Sequence, residues 1–473
     1  MQKLRIGIAV CVTVSLLLAA CGGSAPQPTA TVSPQATATP MPPTAVPQPT
    51  AAGPEATTAP TAVPAVPTAT TAAPPTKPDK VTLEFWYSLA GSSGQAVEEL
   101  VKQFNESQSY IQVQATYQGG YAEIMAKTWN AIFAEQTLPH VAQLGGAPLV
   151  GATGACVPIT DFTDGPGGID RSKIYDAFWK YNMAGGKIWA MPFNNSVPVL
   201  YYNKELFKAA GLDPDKPPET WDDVIRYGQQ LSDGEGQWGF NTNDDTHWYF
   251  STMVLGNGGQ IINAEETEVL YNSPEAVEML TLWGDMVNDL EIMPPAQHNE
   301  APTDFLAGTL GMLMRSSSVV PSLSRDAPFD LGVAMVPTVA GKERVAPIGG
   351  GSMVIFKNEN PYVLDAAWEF VKFMTSEKSS LYLATHTGYV PIYKDALQWP
   401  ELQAYLEQNP LSRVPIEELQ YSYAIPVFTS LGTSDSTLRQ AIEAVELGAN
   451  DPQSALDEAK SIVDQDIKDQ QQD

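Results

Sequence analysis

Cysteine is scarce: the 473 residues hold three, Cys11, Cys21 and Cys156. The first lies inside an apolar N-terminal run and the second closes it, so Cys156 stands alone in the body of the chain. A disulfide framework is thereby excluded for that body. The setting Gly154-Ala155-Cys156-Val157-Pro158 is small and apolar, which predicts a buried, inert thiol rather than a nucleophile. Histidine is nearly as rare, with His140, His247, His298 and His386 and no two at i, i+4 spacing. No zinc, Walker or dinucleotide signature is present, and Gly349-Gly350-Gly351-Ser352 lacks the spacing of a dinucleotide loop. Basic residues are few: 26 Lys and Arg against 54 Asp and Glu give a formal charge of −28. Nucleic acid is excluded as a partner, because phosphate backbones require a basic face. An anionic ligand has to be gripped by a few local donors against an unfavourable overall field.

The N-terminus has a basic start at Lys3 and Arg5, an apolar run from Ile6 to Ala20, and the close Leu18-Ala19-Ala20-Cys21. The run is shorter than the about 20 residues of a comfortable membrane span. The arrangement resembles a bacterial lipoprotein signal, residues 1–21, whose cysteine takes the lipid after cleavage. That resemblance implies lipidation at Cys21 and an extracytoplasmic protein anchored to the cell membrane through the lipid bilayer. Residues 22–78 are almost wholly Ala, Thr, Pro, Ser, Gly, Gln and Val, with only Glu55 and Lys77 charged and no aromatic residue. Such a stretch buries too little apolar area to offset its ordering entropy, which predicts a disordered tether. Its reach runs from about 40 Å as a flexible coil to roughly 170 Å as polyproline II. Ser/Thr/Pro richness is also compatible with O-glycosylation.

The length exceeds the about 250–300 residues that one core supports, so two lobes are expected after the tether. Val81, Leu83 and Phe85 alternate with polar neighbours at a strand period of two. Val97, Leu100, Val101 and Phe104 recur at helical spacing, Ile111 to Ala115 reads as a strand, Ala122 to Gln136 as a helix, and Val141 to Leu144 as a strand. This order predicts a largely parallel sheet covered on both faces. Helix starts are read at Thr220-Trp221-Asp222-Asp223, a capping box, and at Ser273-Pro274, Pro361 and Asp451-Pro452. No fixed-period repeat is found.

No nucleophile–base–orienter set stands out, although the many carboxylates leave a secreted hydrolase as an alternative. Small polar and aromatic residues do stand out at expected element ends. Tyr121 follows Gly119-Gly120. Phe193-Asn194-Asn195-Ser196 is read as the separator between strand-like runs at Lys187–Met191 and Val197–Tyr202. Ser316 ends an apolar run and opens a helical segment, where free backbone N–H groups beside its hydroxyl would suit an anion. Tyr389 follows Gly388. Arg439 is read at a helix start, one residue off a buried stripe of Leu438, Ile442 and Val445, suited to grip an oxyanion with two parallel hydrogen bonds.

Taken together, several motifs resemble the extracellular solute-binding proteins (family 1) of bacterial ABC importers, most nearly their sn-glycerol-3-phosphate-binding members. They are Leu83-Glu84-Phe85-Trp86, Gly119-Gly120-Tyr121, the long run from Met191-Pro192-Phe193-Asn194-Asn195-Ser196 to Tyr202-Asn203-Lys204, Ala210-Gly211-Leu212-Asp213-Pro214, Pro217-Pro218-Glu219-Thr220-Trp221, Ile348-Gly349-Gly350-Gly351-Ser352 and Thr387-Gly388-Tyr389-Val390-Pro391-Ile392. The resemblance spans essentially everything after the tether. It implies a two-lobed α/β periplasmic-binding fold of type II, maltose-binding-protein-like, with the ligand cleft between the lobes. Lobe I would comprise 79–193 and 352–388, lobe II 194–351 and 389–473. It implies a monomer that binds its ligand without chemistry, cofactor or metal and delivers it to ABC permease subunits. The implied ligand residues are Tyr121, Ser196, Ser316, Gly350, Tyr389 and Arg439, with Trp248 as a stacking tryptophan. Arg439 and Ser316 would take the phosphate of glycerol 3-phosphate or a glycerophosphodiester. Where the family places a ligand-gripping glutamate, this chain has Gly146, which favours a larger ligand and keeps a neutral, maltodextrin-like oligosaccharide as the alternative.

Overall fold

A computed structural model describes residues 76–428 and 430–470. The lipoprotein signal with Cys21, and the tether as far as residue 75, lie outside the described residues. Nine strands build the two larger sheets: β1 (Val81–Tyr87), β2 (Ile111–Tyr117), β3 (Val141–Leu144), β4 (Met191–Ser196), β5 (Pro198–Asn203), β6 (Trp238–Thr242), β7 (Leu310–Ser316), β8 (Leu331–Ala334) and β9 (Gly349–Ile355).

The first sheet runs β2-β1-β3-β9-β4. Its opening half is parallel, with β1 aligned to β2 from Val81–Ile111 to Tyr87–Tyr117 and also parallel to β3. The expectation of a largely parallel sheet holds only for that half. β9 joins from much later in the chain and runs antiparallel to both β3 and β4. β1 buries Val81, Leu83, Phe85 and Tyr87 on one face. The Gly91–Ser107 helix turns Val97, Leu100, Val101 and Phe104 toward the core, where Phe370 and Val371 of the Pro361–Met374 helix join them. Cys156 is fully buried, and burial pushes its thiol up to about 12, as expected of an inert packing residue.

The second sheet runs β8-β5-β7-β6, antiparallel except for the β6–β7 pair. Trp283, Tyr249, Tyr271 and Phe240 fill its core. The expected capping box is present: Thr220 Oγ1 accepts from the Asp223 amide, and the Asp223 carboxylate accepts from the Thr220 amide, each at 3.2 Å. Ser273 caps the Pro274–Asn288 helix, and the Pro452–Gln470 helix begins where its proline predicts.

Three passages connect the sheets. β4 belongs to the first and β5 to the second, with Val197 alone between them. The chain returns between β8 and β9. It passes β4 again at Val390, whose amide donates to Asn195 O at 2.9 Å. It ends in the Leu431–Glu446 and Pro452–Gln470 helices, which pack on each other and on the Pro274–Asn288 helix beside the second sheet.

The reading of Phe193–Ser196 as a separator is corrected. All four residues are inside β4, and all are buried. Two adjacent asparagines read as turn chemistry because their amides rarely find partners inside a sheet. Here they do. Gln143 Nε2 donates to Asn194 Oδ1 (3.0 Å), and Asn195 Nδ2 donates to Gly349 O (3.2 Å). Ser88 extends the network, its amide and hydroxyl both donating to Gln143 Oε1 at 2.9 Å.

Candidate functional site: a cavity between the two sheets

A cavity of about 550 Å³ lies where the connecting passages meet. Tyr121, Ser196, Trp248, Ser316, Gly350, Tyr389 and Arg439 all line it, although they are scattered over more than three hundred positions of the chain. A larger groove of about 790 Å³, lined by Trp221, Val277, Leu282 and Gln453 among others, contains none of them.

Strand ends and helix starts bring these residues together. Tyr121 opens the Tyr121–Phe133 helix, and its hydroxyl accepts from Asn194 Nδ2 at 2.8 Å, so the buried amide network of β4 orients the phenol. Tyr389 lies beside it, and burial raises both phenols above their ordinary range. Both stay protonated hydrogen-bonding groups at any physiological pH. Tyr181 stands on the same side and donates to the Gly350 carbonyl at 3.0 Å. Gly350 has φ of +91°, and a Cβ there would come within 2.1 Å of Asn194 O. Only glycine fits that close approach of β9 to β4. Gly146 also faces the cavity, as the left-handed cap of a short helix, and adds no polar group.

Trp248 belongs to the Thr246–Gly256 helix but reaches the first sheet, where a Cβ on Gly349 would lie 2.9 Å from its ring. Its indole Nε1 is buried without a partner among the described residues. Ser316 ends β7 and its hydroxyl lies 3.0 Å from that of Ser318. The expected free amides are absent at this turn. Ser317 N–H donates to Val197 O at 2.8 Å, and Ser318 N–H donates to Ser316 Oγ at 3.3 Å. The serines therefore offer hydroxyls rather than an amide nest. The strand-to-strand passage at Val197 takes the first amide.

Arg439 is also corrected. It lies in the middle of the Leu431–Glu446 helix rather than at its start, because Leu431 to Leu438 are already helical. The buried stripe of Leu438, Ile442 and Val445 is as read. The guanidinium donates to the Asp244 carbonyl and, at 3.3 Å, to Asp245 Oδ1.

Lining groups that escaped the sequence reading include Tyr181, Asp245, His247 and Asp435. Asp435 is four residues before Arg439 and so shares its helix face, a spacing that was legible. Its Oδ2 lies 3.6 Å from His247 Nε2. Burial, reinforced by Asp245 and opposed by Arg439, pushes the Asp435 carboxyl up to about 7. Burial and then the Arg439 charge hold the His247 imidazole down to about 3, so it is neutral. Nothing in this lining forms a nucleophile–base pair. The wall is made of hydroxyls, aromatic faces and one ion cluster, which suits binding and orientation of a polar solute.

A family model described as bacterial extracellular solute-binding protein matches residues 99–409. The sn-glycerol-3-phosphate-binding periplasmic protein UgpB of Salmonella typhimurium is 26% identical over 403 residues, covering 80% of this chain and 90% of that protein. Its namesake in Yersinia pseudotuberculosis is 26% identical over 396 residues, covering 79% and 90%. Among solved structures, UgpB from Mycobacterium tuberculosis in complex with glycerophosphocholine superposes with a TM-score of 0.74 at 24% identity, covering 82% of this chain and 99% of that one. The cyclic alpha-maltosyl-1,6-maltose binding protein from Arthrobacter globiformis superposes with a TM-score of 0.73 at 25% identity, covering 82% and 100%. The architecture is thus the two-lobed α/β fold expected from the sequence motifs. The chain belongs to the bacterial extracellular solute-binding protein family, and is the extracytoplasmic solute-binding component of an ABC importer rather than an enzyme.

Proposed function

We propose that this protein captures a glycerol-phosphate ligand, sn-glycerol 3-phosphate or a glycerophosphodiester, and hands it to ABC permease subunits. One observation carries the reading: Arg439 and the Ser316–Ser318 hydroxyl pair, distant in sequence, border one cavity with Tyr121 and Tyr389. The guanidinium and hydroxyls take the phosphoryl oxygens, as charge-assisted donors do. Tyr121 and Tyr389 bracket the glycerol, while Ser196 and the backbone at Gly350 complete the contacts. Ligand held from both sides stabilises the closed arrangement, since only differential affinity shifts such an equilibrium. The lobe boundaries at Phe193, Gly351 and Gly388 belong to this proposal, as do a monomeric state, the Pro/Thr/Ala-rich tether and the lipid anchor at Cys21. The sheet-to-sheet passages near those positions support the boundaries, and the N-terminal signal supports the anchor.

A second reading keeps the fold and assigns a neutral, maltodextrin-like oligosaccharide. It is favoured by Gly146, which leaves space where the related proteins are expected to present a carboxylate, and by the aromatic walls of Trp248 and Tyr181. Isothermal titration of the mature chain with glycerol 3-phosphate, a glycerophosphodiester and maltose separates the two. Phosphoryl ligands are expected to bind, and binding of maltose alone would reject the first reading. Membrane partition of a Cys21→Ser protein tests the anchor: it should appear in the soluble fraction.

A further inference from the structure

We propose that Asp435 is a charge-selecting residue of the cavity: one helical turn before Arg439, it limits the negative charge a bound phosphoryl group can carry, so monoanionic phosphodiesters are preferred to dianionic phosphomonoesters. The inference rests on the phosphoryl reading above and deepens it.

Arg439 is the one permanent cation among the described residues lining the cavity, and it is not free. The Asp244 carbonyl and the Asp245 carboxylate already accept from it. Asp435 presents a second carboxylate on the same wall, partly buried with 38% of its side chain exposed. His247, at 3.6 Å from Asp435, adds no positive charge because its imidazole is neutral. With both carboxyls ionised, the ion cluster is net negative before any ligand arrives. A phosphodiester brings one negative charge, whereas a phosphomonoester brings about 1.5 to 2 at pH 7, its second ionisation falling near 6. The extra charge meets Asp245 and Asp435 in a partly dehydrated space, where like charges repel strongly.

Titration of Asp435 tunes this selection. The groups facing it are Arg439 on its own helix, Asp245 and His247 at the start of the Thr246–Gly256 helix, Tyr181 from the first lobe, and Tyr271, whose hydroxyl bonds Ser434. Burial places its titration near neutrality. Below that range the carboxyl is neutral and can donate a hydrogen bond to a phosphoryl oxygen. Above it, the carboxylate repels the monoester.

The test is isothermal titration of the mature chain and its Asp435→Asn variant between pH 6.5 and 8. The probes are glycerol 3-phosphate and glycerophosphoglycerol, a diester whose head group is uncharged. The wild type should favour the diester about tenfold at pH 8, and by less at pH 6.5. Asp435→Asn should raise monoester affinity about tenfold at pH 8, leave the diester within about threefold, and flatten the profile above pH 6.5. The ligand's own ionisation near 6 persists equally in both proteins, so the difference between their profiles reports Asp435. An unchanged diester-to-monoester ratio in a folded variant, or a wild-type ratio constant across this range, overturns the role of Asp435 while leaving the phosphoryl reading intact. Failure of the wild type to bind either probe overturns both.

Discussion

Arg439 is held by two oxygens of its own chain, the Asp244 carbonyl and Asp245 Oδ1, before any ligand competes for it. Such pre-orientation fixes where the guanidinium points, so ligand binding does not have to immobilise a flexible side chain. Arg439→Ala is therefore expected to weaken a phosphoryl ligand by about 2–3 kcal/mol, the scale of a charge-assisted hydrogen bond. A neutral sugar should lose far less; calorimetry on both ligands reads the difference. Gly350 acts through shape. At φ +91° and with Asn194 O only 2.1 Å from where a Cβ would sit, it cannot be replaced without moving β4 or β9. Gly350→Ala should lower stability by about 1–3 kcal/mol, the range for a residue forced into a sparse backbone region, and shift the urea midpoint accordingly. Neither effect was readable from residue type alone. The glycine run was visible, but the carbonyl opposing it comes from a strand more than 150 positions earlier.

The Leu431–Glu446 helix is the element that presents the ion cluster, and its far end is tied down by a buried carboxylate. Glu446 is 1% exposed. Its oxygens accept from Trp283 Nε1 at 2.6 Å and the Ala296 amide at 2.9 Å, and one lies 2.8 Å from His298 Nε2. Glu446→Ala would strand the buried indole donor of Trp283, worth about 1–3 kcal/mol when left unpaired, and release the Ala296 amide. Thermal unfolding should show a loss of at least one such increment, and ligand affinity should fall because the helix carrying Arg439 and Asp435 loses its anchor. At this scale the sequence was informative where a local rule has a local cause. The Thr220 capping box, the proline starts at Pro274 and Pro452, and the stripe of Leu438, Ile442 and Val445 were all legible. It misled at Phe193–Ser196, where partners from Gln143 and Gly349 make two asparagines acceptable inside a strand.

Across the whole molecule, a second buried acid lies outside the cavity, at the end of the Arg413–Glu418 helix against the passage between β8 and β9. Glu418 is fully buried; Oε1 accepts from the Val336 amide at 2.8 Å while Oε2 has no partner among the described residues. Burial raises its carboxyl to about 8, with the Val336 amide and Arg344 opposing. The folded state then holds a proton that the unfolded chain releases above the ordinary value of 4.5. Proton binding is greater in the folded state over that interval, so stability falls as pH rises from about 4.5 to about 8. Glu418→Gln should flatten that decline, as read by urea unfolding at pH 5, 6.5 and 8. A decline of unchanged slope would assign it to other groups.

Length and periodicity predicted α/β elements in a chain too long for one core, while the two-lobed fold and the solute-binding role were implied by the resemblance of its motifs to a known family. The element readings follow from local patterns that burial and backbone geometry impose on each segment separately. The electrostatic character of the cleft was decided only in three dimensions. Asp245 and His247 reach the helix face shared by Asp435 and Arg439 through packing of a separate segment, and a carboxyl near neutrality depends on what surrounds it rather than on its place in the chain.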